Sequence, residues 1–124
     1  MIVDEIRTFL KDYFDVLQNQ NLTLFDKVFH ASCVLYSYQD GSFVVRPFAE
    51  YRAMVQARQS PEAGKFPRKD EVLSIDVMSA ETALVKVRLR LFDNIMMDYL
   101  NLLKVDGHWT IVAKIFYRAE TLKP

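Results

Sequence analysis

The sequence predicts an α+β fold: a cone of three helices from the N-terminal half packed on a strongly curved antiparallel β-sheet. Two observations predict it. Apolar residues recur at helical spacing through residues 2–29 and again over 47–58, then give way from residue 71 to alternating, β-rich runs. Two-residue turn signals, Asp40-Gly41, Asp93-Asn94 and Asp106-Gly107, punctuate the strand-like segments and fold them into hairpins.

The first helix is the clearest element. On a wheel of 100° per residue, Ile2, Val3, Ile6, Phe9, Leu10, Tyr13, Phe14, Val16 and Leu17 fill one arc, and charged or amide side chains fill the rest. Tyr13 falls near the middle of the buried face, and the Asn19-Gln20-Asn21 run ends the helix. A shorter helix over 22–29 repeats Leu24, Phe25, Val28 and Phe29, and then leads into the β-branched and aromatic run VLYSY. Asp40-Gly41 turns this strand back through SFVVR to Pro47, whose fixed φ suits the start of a helix with Phe48, Tyr51 and Val55 as its stripe. Residues 59–70 contain Pro61, Pro67 and Gly64 without periodicity and read as a loop. EVLSIDVM, TALVKVRLRLF, IMMDYLNLLKV and HWTIVAKIFY follow as four strands. The chain reads as a single domain, 1–124.

The totals narrow the function. Sixteen basic residues balance sixteen acidic ones, so there is no positive field to collect phosphates, and nucleic-acid binding loses its main driving force. One cysteine and two distant histidines build no usual metal site, and three glycines leave little for a nucleotide-binding loop, so no metal and no cofactor are expected. The opening segment carries charge every few residues and the apolar runs are short of a bilayer span, which places the chain in the cytoplasm and off the membrane.

The hairpins decide which side chains share a face. With turns at Asp93-Asn94 and Asp106-Gly107, Leu102 pairs with Ile111, Leu100 with Ala113, Asp98 with Ile115, and Leu89 with Asp98. Val85, Val87, Leu89, Leu91, Met96, Asp98, Leu100, Leu102, Trp109, Ile111, Ala113 and Ile115 then share the inner face, while Lys86, Arg88, Arg90, Met97, Tyr99, Val112, Lys114 and Phe116 face out. Asp98 is thereby a carboxylate placed among apolar neighbours, where burial disfavours its charged form.

The element order, together with LFDKVFHASCVLYSYQDGSF, FAEYRAMV and DYLNLLKVDGHWTIVAKIFY, resembles the nuclear transport factor 2-like superfamily, most closely its SnoaL-like and lumazine-binding branches. The resemblance covers nearly the whole chain and implies a cone with a pocket between helices and sheet. Steroid isomerases and polyketide cyclases of that fold place carboxylates and a tyrosine in the pocket, which by resemblance gives Asp98 the role of general acid or base and Tyr13 that of polarising donor. Phe14, Tyr36, Phe48, Tyr51, Met96 and Trp109 are the expected ligand-binding residues. The leading reading is a binder of a small hydrophobic or aromatic molecule; the alternative is a cofactor-independent isomerase, dehydratase or cyclase. Large groups on the outer sheet face, Met97, Tyr99, Val112 and Phe116, predict a homodimer through that face.

Overall fold

The computed structural model describes residues 1–122. Helix α1 spans Ile2–Asn19 and ends at Gln20, which takes the left-handed conformation and donates its backbone N–H to the Val16 carbonyl. Helix α2, Leu22–Val28, starts from the Asn21 side chain, which accepts from the Leu24 N–H. Helix α3 covers Phe48–Ala57. The strands are β1 (Phe29–Gln39), β2 (Ser42–Pro47), β3 (Asp70–Ser79), β4 (Thr82–Leu91), β5 (Asn94–Val105) and β6 (His108–Thr121). They form one sheet in the order β2-β1-β6-β5-β4-β3. Every pair is antiparallel except β1 with β6, which run parallel and are connected through β2, α3 and β3–β5. The helices cover one face: α1 reaches β3, α2 reaches β1 and β6, and α3 lies over β1 and β2. Among the described residues no helix is long and apolar enough to cross a membrane.

The predicted arc of α1 is the buried one, with Ile6, Leu10, Tyr13, Phe14, Val16 and Leu17 in the core against Phe25, Phe29, Val85, Leu100, Leu102 and Ile111. Asp40-Gly41 and Asp106-Gly107 turn as expected, each pair at positive φ, which glycine takes without strain.

Two expectations about register are corrected. The β4–β5 turn closes on Phe92-Asp93 rather than Asp93-Asn94, with Leu91 opposite Asn94. Phe92 takes a φ of 56°, a costly conformation for a bulky side chain. Its ring is held edge-on by Phe66 at 5.3 Å and lies under the Arg58 guanidinium at 5.2 Å, while Arg90 Nε donates to its carbonyl at 2.8 Å. Asp98 consequently lies opposite Val87 instead of Leu89. A shift of two residues leaves every side chain on its face.

The second correction changes faces. Val105 pairs with His108 and Leu102 with Ile111, but Asn101 then pairs with Ala113, leaving Val112 as an extra residue in β6. A bulge of this kind bends the strand and reverses the alternation beyond it. Lys114 and Phe116, expected outside, therefore turn inward; Lys114 is only 5% exposed. Ile115, expected inside, is 54% exposed, and Asp98 pairs with Phe116 in place of Ile115. Tyr36 is a third correction. Strand β1 buries Cys33, Leu35 and Ser37, so Tyr36 and Tyr38 point away from the core.

Candidate functional site

The inner face of the sheet holds a small charged cluster beneath α1. Helix α1 carries Tyr13, fully buried, whose hydroxyl donates to Asp98 Oδ2 at 2.6 Å. From the neighbouring strand, Lys114 brings its Nζ to 3.6 Å from the same oxygen. The ammonium also lies over the rings of Tyr13 and Tyr51, at 5.2 and 5.6 Å from their centroids. Asp98 is 2% exposed, and its Oδ1 is buried with no hydrogen-bond partner among the described residues. Leaving such an atom unsatisfied costs roughly 1–3 kcal/mol, more where it is charged.

The electrostatics of the cluster follow from burial and proximity. Burial first, and then the Asp98 charge, push the Tyr13 hydroxyl well above its ordinary range, so it remains a proton donor. For Lys114 burial pulls the other way, toward the neutral amine, but the attraction of Asp98, helped by Tyr51 and Cys33, outweighs it and the net movement is upward. Lys114 is a charged ammonium at neutral pH. Burial raises the Cys33 thiol to about 11, which makes it an inert core group.

Above this floor opens a cavity of about 490 Å³ lined by Tyr51, Met54, Arg58, Met96, Lys114 and Phe116, with Asp40, Arg46 and Arg118 toward its rim. The volume suits a small organic ligand. Two of the rim cations have acidic partners: Arg118 Nη2 lies 3.2 Å from Asp40 Oδ2, and Arg46 Nε 3.8 Å from Glu50. Arg58 is held differently. Its Nε donates to Gln20 Oε1 at 2.6 Å, and the same Gln20 donates Nε2 to the carbonyls of Val55 and Arg58, clasping the end of α3 to the end of α1. Its Nη2 is buried and makes no hydrogen bond among the described residues. Burial lowers the Arg58 pKa, with the Tyr51 hydroxyl opposing that, yet a guanidinium keeps its charge at neutral pH.

The structure thus brings Asp98 and Tyr13 together in the core, behind Lys114 and outside the cavity wall, and sets Tyr51 and Met96 in that wall. It does not bring the other expected residues there. Phe14 packs on Tyr13 and Phe48 on Phe25, both at 5.6 Å between ring centroids and both away from the cavity wall. Trp109 lines a separate groove of about 510 Å³ with Glu5, Thr8, Asp12, Lys27 and His108, donating Nε1 to Glu5 at 3.3 Å. That groove is lined by surface charges, whereas the central cavity has the buried Lys114 ammonium in its wall. Tyr36 lies on the opposite face of the sheet. Lys114, Arg58, Phe116 and Met54 are among the lining residues that sequence reasoning missed. Arg58 had a signal, since it extends the 48, 51, 55 stripe of α3 by one more helical step. Among the described residues, no three His, Cys, Asp or Glu side chains come together as a metal site.

Helices on one face of a bent six-stranded sheet, with a cavity between the two layers, give this chain the α+β cone fold of nuclear transport factor 2-like proteins. The chain belongs to the family described as "Putative lumazine-binding", whose model matches residues 2–117. A curated relative, the protein named Aldolase FrzH from Cladobotryum sp., is 32% identical over 91 residues, covering 72% of this chain and 69% of that protein. Among solved structures, an NTF2-like protein of unknown function from Shewanella baltica OS155 superposes with a TM-score of 0.82 at 20% identity, covering 96% of this chain and 94% of the other. An NTF2-like protein of unknown function from Silicibacter pomeroyi DSS-3 gives 0.78 at 15% identity, covering 94% of each chain. At these identities the structural matches establish the fold alone.

Proposed function

We propose that this protein binds a small, partly aromatic molecule in the central cavity, with Tyr51, Met96 and Phe116 as its apolar wall and Lys114 as its polar anchor. The observation that carries this reading is the Lys114 ammonium: it is buried at the base of a roughly 490 Å³ cavity, and its one acidic neighbour, Asp98, lies beyond hydrogen-bonding distance at 3.6 Å. A buried cation with donors left over is an unsatisfied recognition element. The family description adds a heteroaromatic ligand class of the pterin and lumazine kind. Thermal shift against lumazine, riboflavin, a steroid and an aromatic polyketide tests it, because a ligand selective for the native state must raise its melting temperature. At least one class is expected to stabilise the wild type and to lose that effect in Met96→Trp, which fills the cavity. No shift with any class, or a shift that persists in Met96→Trp, sinks the reading.

A catalytic second reading is favoured by the 32% identical relative named as an aldolase. Aldol chemistry and the isomerase, dehydratase or cyclase alternatives share one step, removal of a proton from carbon beside a carbonyl. Asp98 is the proton acceptor in this reading, which requires Lys114 to move aside, since the carboxylate is buried behind the cavity wall. Lys114 stabilises the enolate oxygen that develops, and Tyr13 holds the carboxylate rather than polarising substrate, since its hydroxyl is already given to Asp98.

The protein acts, in this proposal, as a cytoplasmic homodimer that pairs through the outer sheet face and takes neither nucleic acid nor membrane as partner. The outer patch that supports pairing differs from the expected one: Tyr36, Tyr38, Tyr99, Ile115 and Tyr117 are exposed there, whereas Phe116 is turned inward.

A further inference from the structure

The central cavity has more positive than negative charge in its wall. Arg58 and Lys114 both line it, close enough that the Arg58 charge acts against that of Lys114. One carboxylate, Asp98, stands against these two cations, leaving one charge over. The rim does not supply the missing anion, because Asp40 is engaged with Arg118 and Glu50 with Arg46.

Arg58 is also oriented more firmly than a solvated arginine. Gln20 holds its Nε from one side, and the Phe92 ring, itself fixed by Phe66, lies under the guanidinium. Both supports stand on unusual backbone, since Gln20 and Phe92 are non-glycine residues at a φ of 56°. What this arrangement leaves unused is Nη2, buried and without a partner among the described residues.

We infer that the ligand of this cavity carries a single carboxylate, received between Arg58 Nη2 and the Lys114 ammonium, with its ring or hydrocarbon body against Tyr51, Met96 and Phe116. The inference rests on the reading of the cavity as a ligand site and adds the charge and the orientation of what enters. A carboxylate presents two oxygens to the two cationic residues that line one cavity and neutralises one excess charge. A phosphate dianion overshoots that charge, and the site has no glycine-rich loop to cradle it. A neutral ligand leaves Nη2 as it is.

The test compares 2-naphthoate with 2-naphthamide, which share a ring system and differ in charge, by calorimetry and thermal shift at pH 7 on the wild type, Arg58→Met, Arg58→Lys and Met96→Trp. Naphthoate is expected to bind the wild type about tenfold or more tighter than the amide, the scale of one charge-assisted hydrogen bond. Arg58→Met should bring naphthoate to the level of the amide and leave the amide within about twofold; its unliganded melting temperature should fall only modestly, since the loss of the Nε hydrogen bond to Gln20 is partly offset by removing the unpartnered Nη2. Arg58→Lys retains the charge but not Nη2, and should lose most of the preference even if the Met variant folds poorly. Equal binding of both compounds to the wild type, abolished by Met96→Trp, overturns the carboxylate site and leaves the cavity reading standing. Binding of neither compound overturns both. A strong loss of stability in Arg58→Met with naphthoate affinity unchanged makes Arg58 a structural clasp and overturns the inference as well.

Discussion

The two halves of the β5–β6 hairpin contrast in what they show the helices. On the turn side of Val112, the inner face presents Leu102 and Ile111, packed in the apolar core with α1 and α2. On the far side it presents Lys114, Phe116 and Met96, which line an open cavity, with Leu100 and the buried Asp98 behind them and Asp98 3.6 Å from the Lys114 ammonium. The same two strands make both halves, and a single extra residue separates them. Packing dominates the first half, where stability comes from apolar area at about 25 cal/mol per Å² removed from water. In the second, a salt bridge has been taken out of water, and its desolvation cost is repaid only by close partners. A site needs that exchange, because groups that are fully satisfied within the protein have nothing to offer a ligand.

The largest expected effect comes from breaking the charged half on one side only. Asp98→Ala leaves the Lys114 ammonium buried without its counter-charge, and should destabilise the protein by about 3–5 kcal/mol in urea unfolding. Leu102→Ala in the apolar half should cost a similar amount, about 2–5 kcal/mol, through a cavity. The two differ in rescue. Replacing both charged partners, Asp98→Leu with Lys114→Met, should recover most of the loss, whereas no second substitution of a charged group should restore Leu102→Ala. A double variant no more stable than Asp98→Ala alone would show that the pair is not coupled as its geometry states.

The contrast also explains what the sequence could and could not disclose. The burial of Asp98 was legible although its turn was misplaced, because a two-residue slip preserves sidedness. The inward turn of Lys114 was not, because the bulge at Val112 has no glycine to mark it, and strict alternation carried past it assigns Lys114, Ile115 and Phe116 to the wrong face. In β1 the apolar run Val34-Leu35-Tyr36 has no period of two, so local pattern left the side taken by Tyr36 open; core volume settles it by enclosing Leu35 instead. Long helices and glycine turns are specified by neighbours in sequence, and so α1 and both Asp-Gly hairpins came out as read. The clasp between Gln20 and Arg58 joins residues 38 apart, and nothing local announces it.

Alkaline pH should act on the charged half selectively. Cys33, Tyr13 and Lys114 all have pKa values moved upward in the folded protein, from ordinary values of 9.0, 10.0 and 10.5. The folded state therefore holds protons that the unfolded state gives up first. Their contribution to stability is complete below about pH 9 and is lost as pH rises through the folded values, by up to about 1.4 kcal/mol per pH unit for each group titrating. Tyr13→Phe removes one of the three and also a hydrogen bond to a charged acceptor worth about 1.5–3 kcal/mol. It should lower the urea midpoint at pH 7 while making the decline above pH 9 shallower than in the wild type. Parallel declines in the two proteins would mean that Tyr13 does not hold its proton through the fold.

The smallest expected effect separates the bulged from the regular strand most cleanly. Ile115 would sit inside a regular β6, but the extra residue at Val112 turns it outward. Ile115→Thr keeps a β-branched side chain in an exposed strand position, so its cost should stay within about 0.5 kcal/mol. The same substitution at buried Ile111 places a hydroxyl among apolar neighbours and should cost about 1–3 kcal/mol from the polar burial alone. Comparable losses at the two positions would restore the regular strand, with Lys114 outside and the cavity floor uncharged. Protein concentration adds a second reading of the same variant. In a dimer paired through the outer sheet face, Ile115 is a contact, so the difference between Ile115→Thr and wild type should grow with protein concentration as mass action populates the pair. A difference that stays flat from nanomolar to micromolar protein, with a monomer mass throughout, removes the dimer while leaving the bulge and the cavity in place.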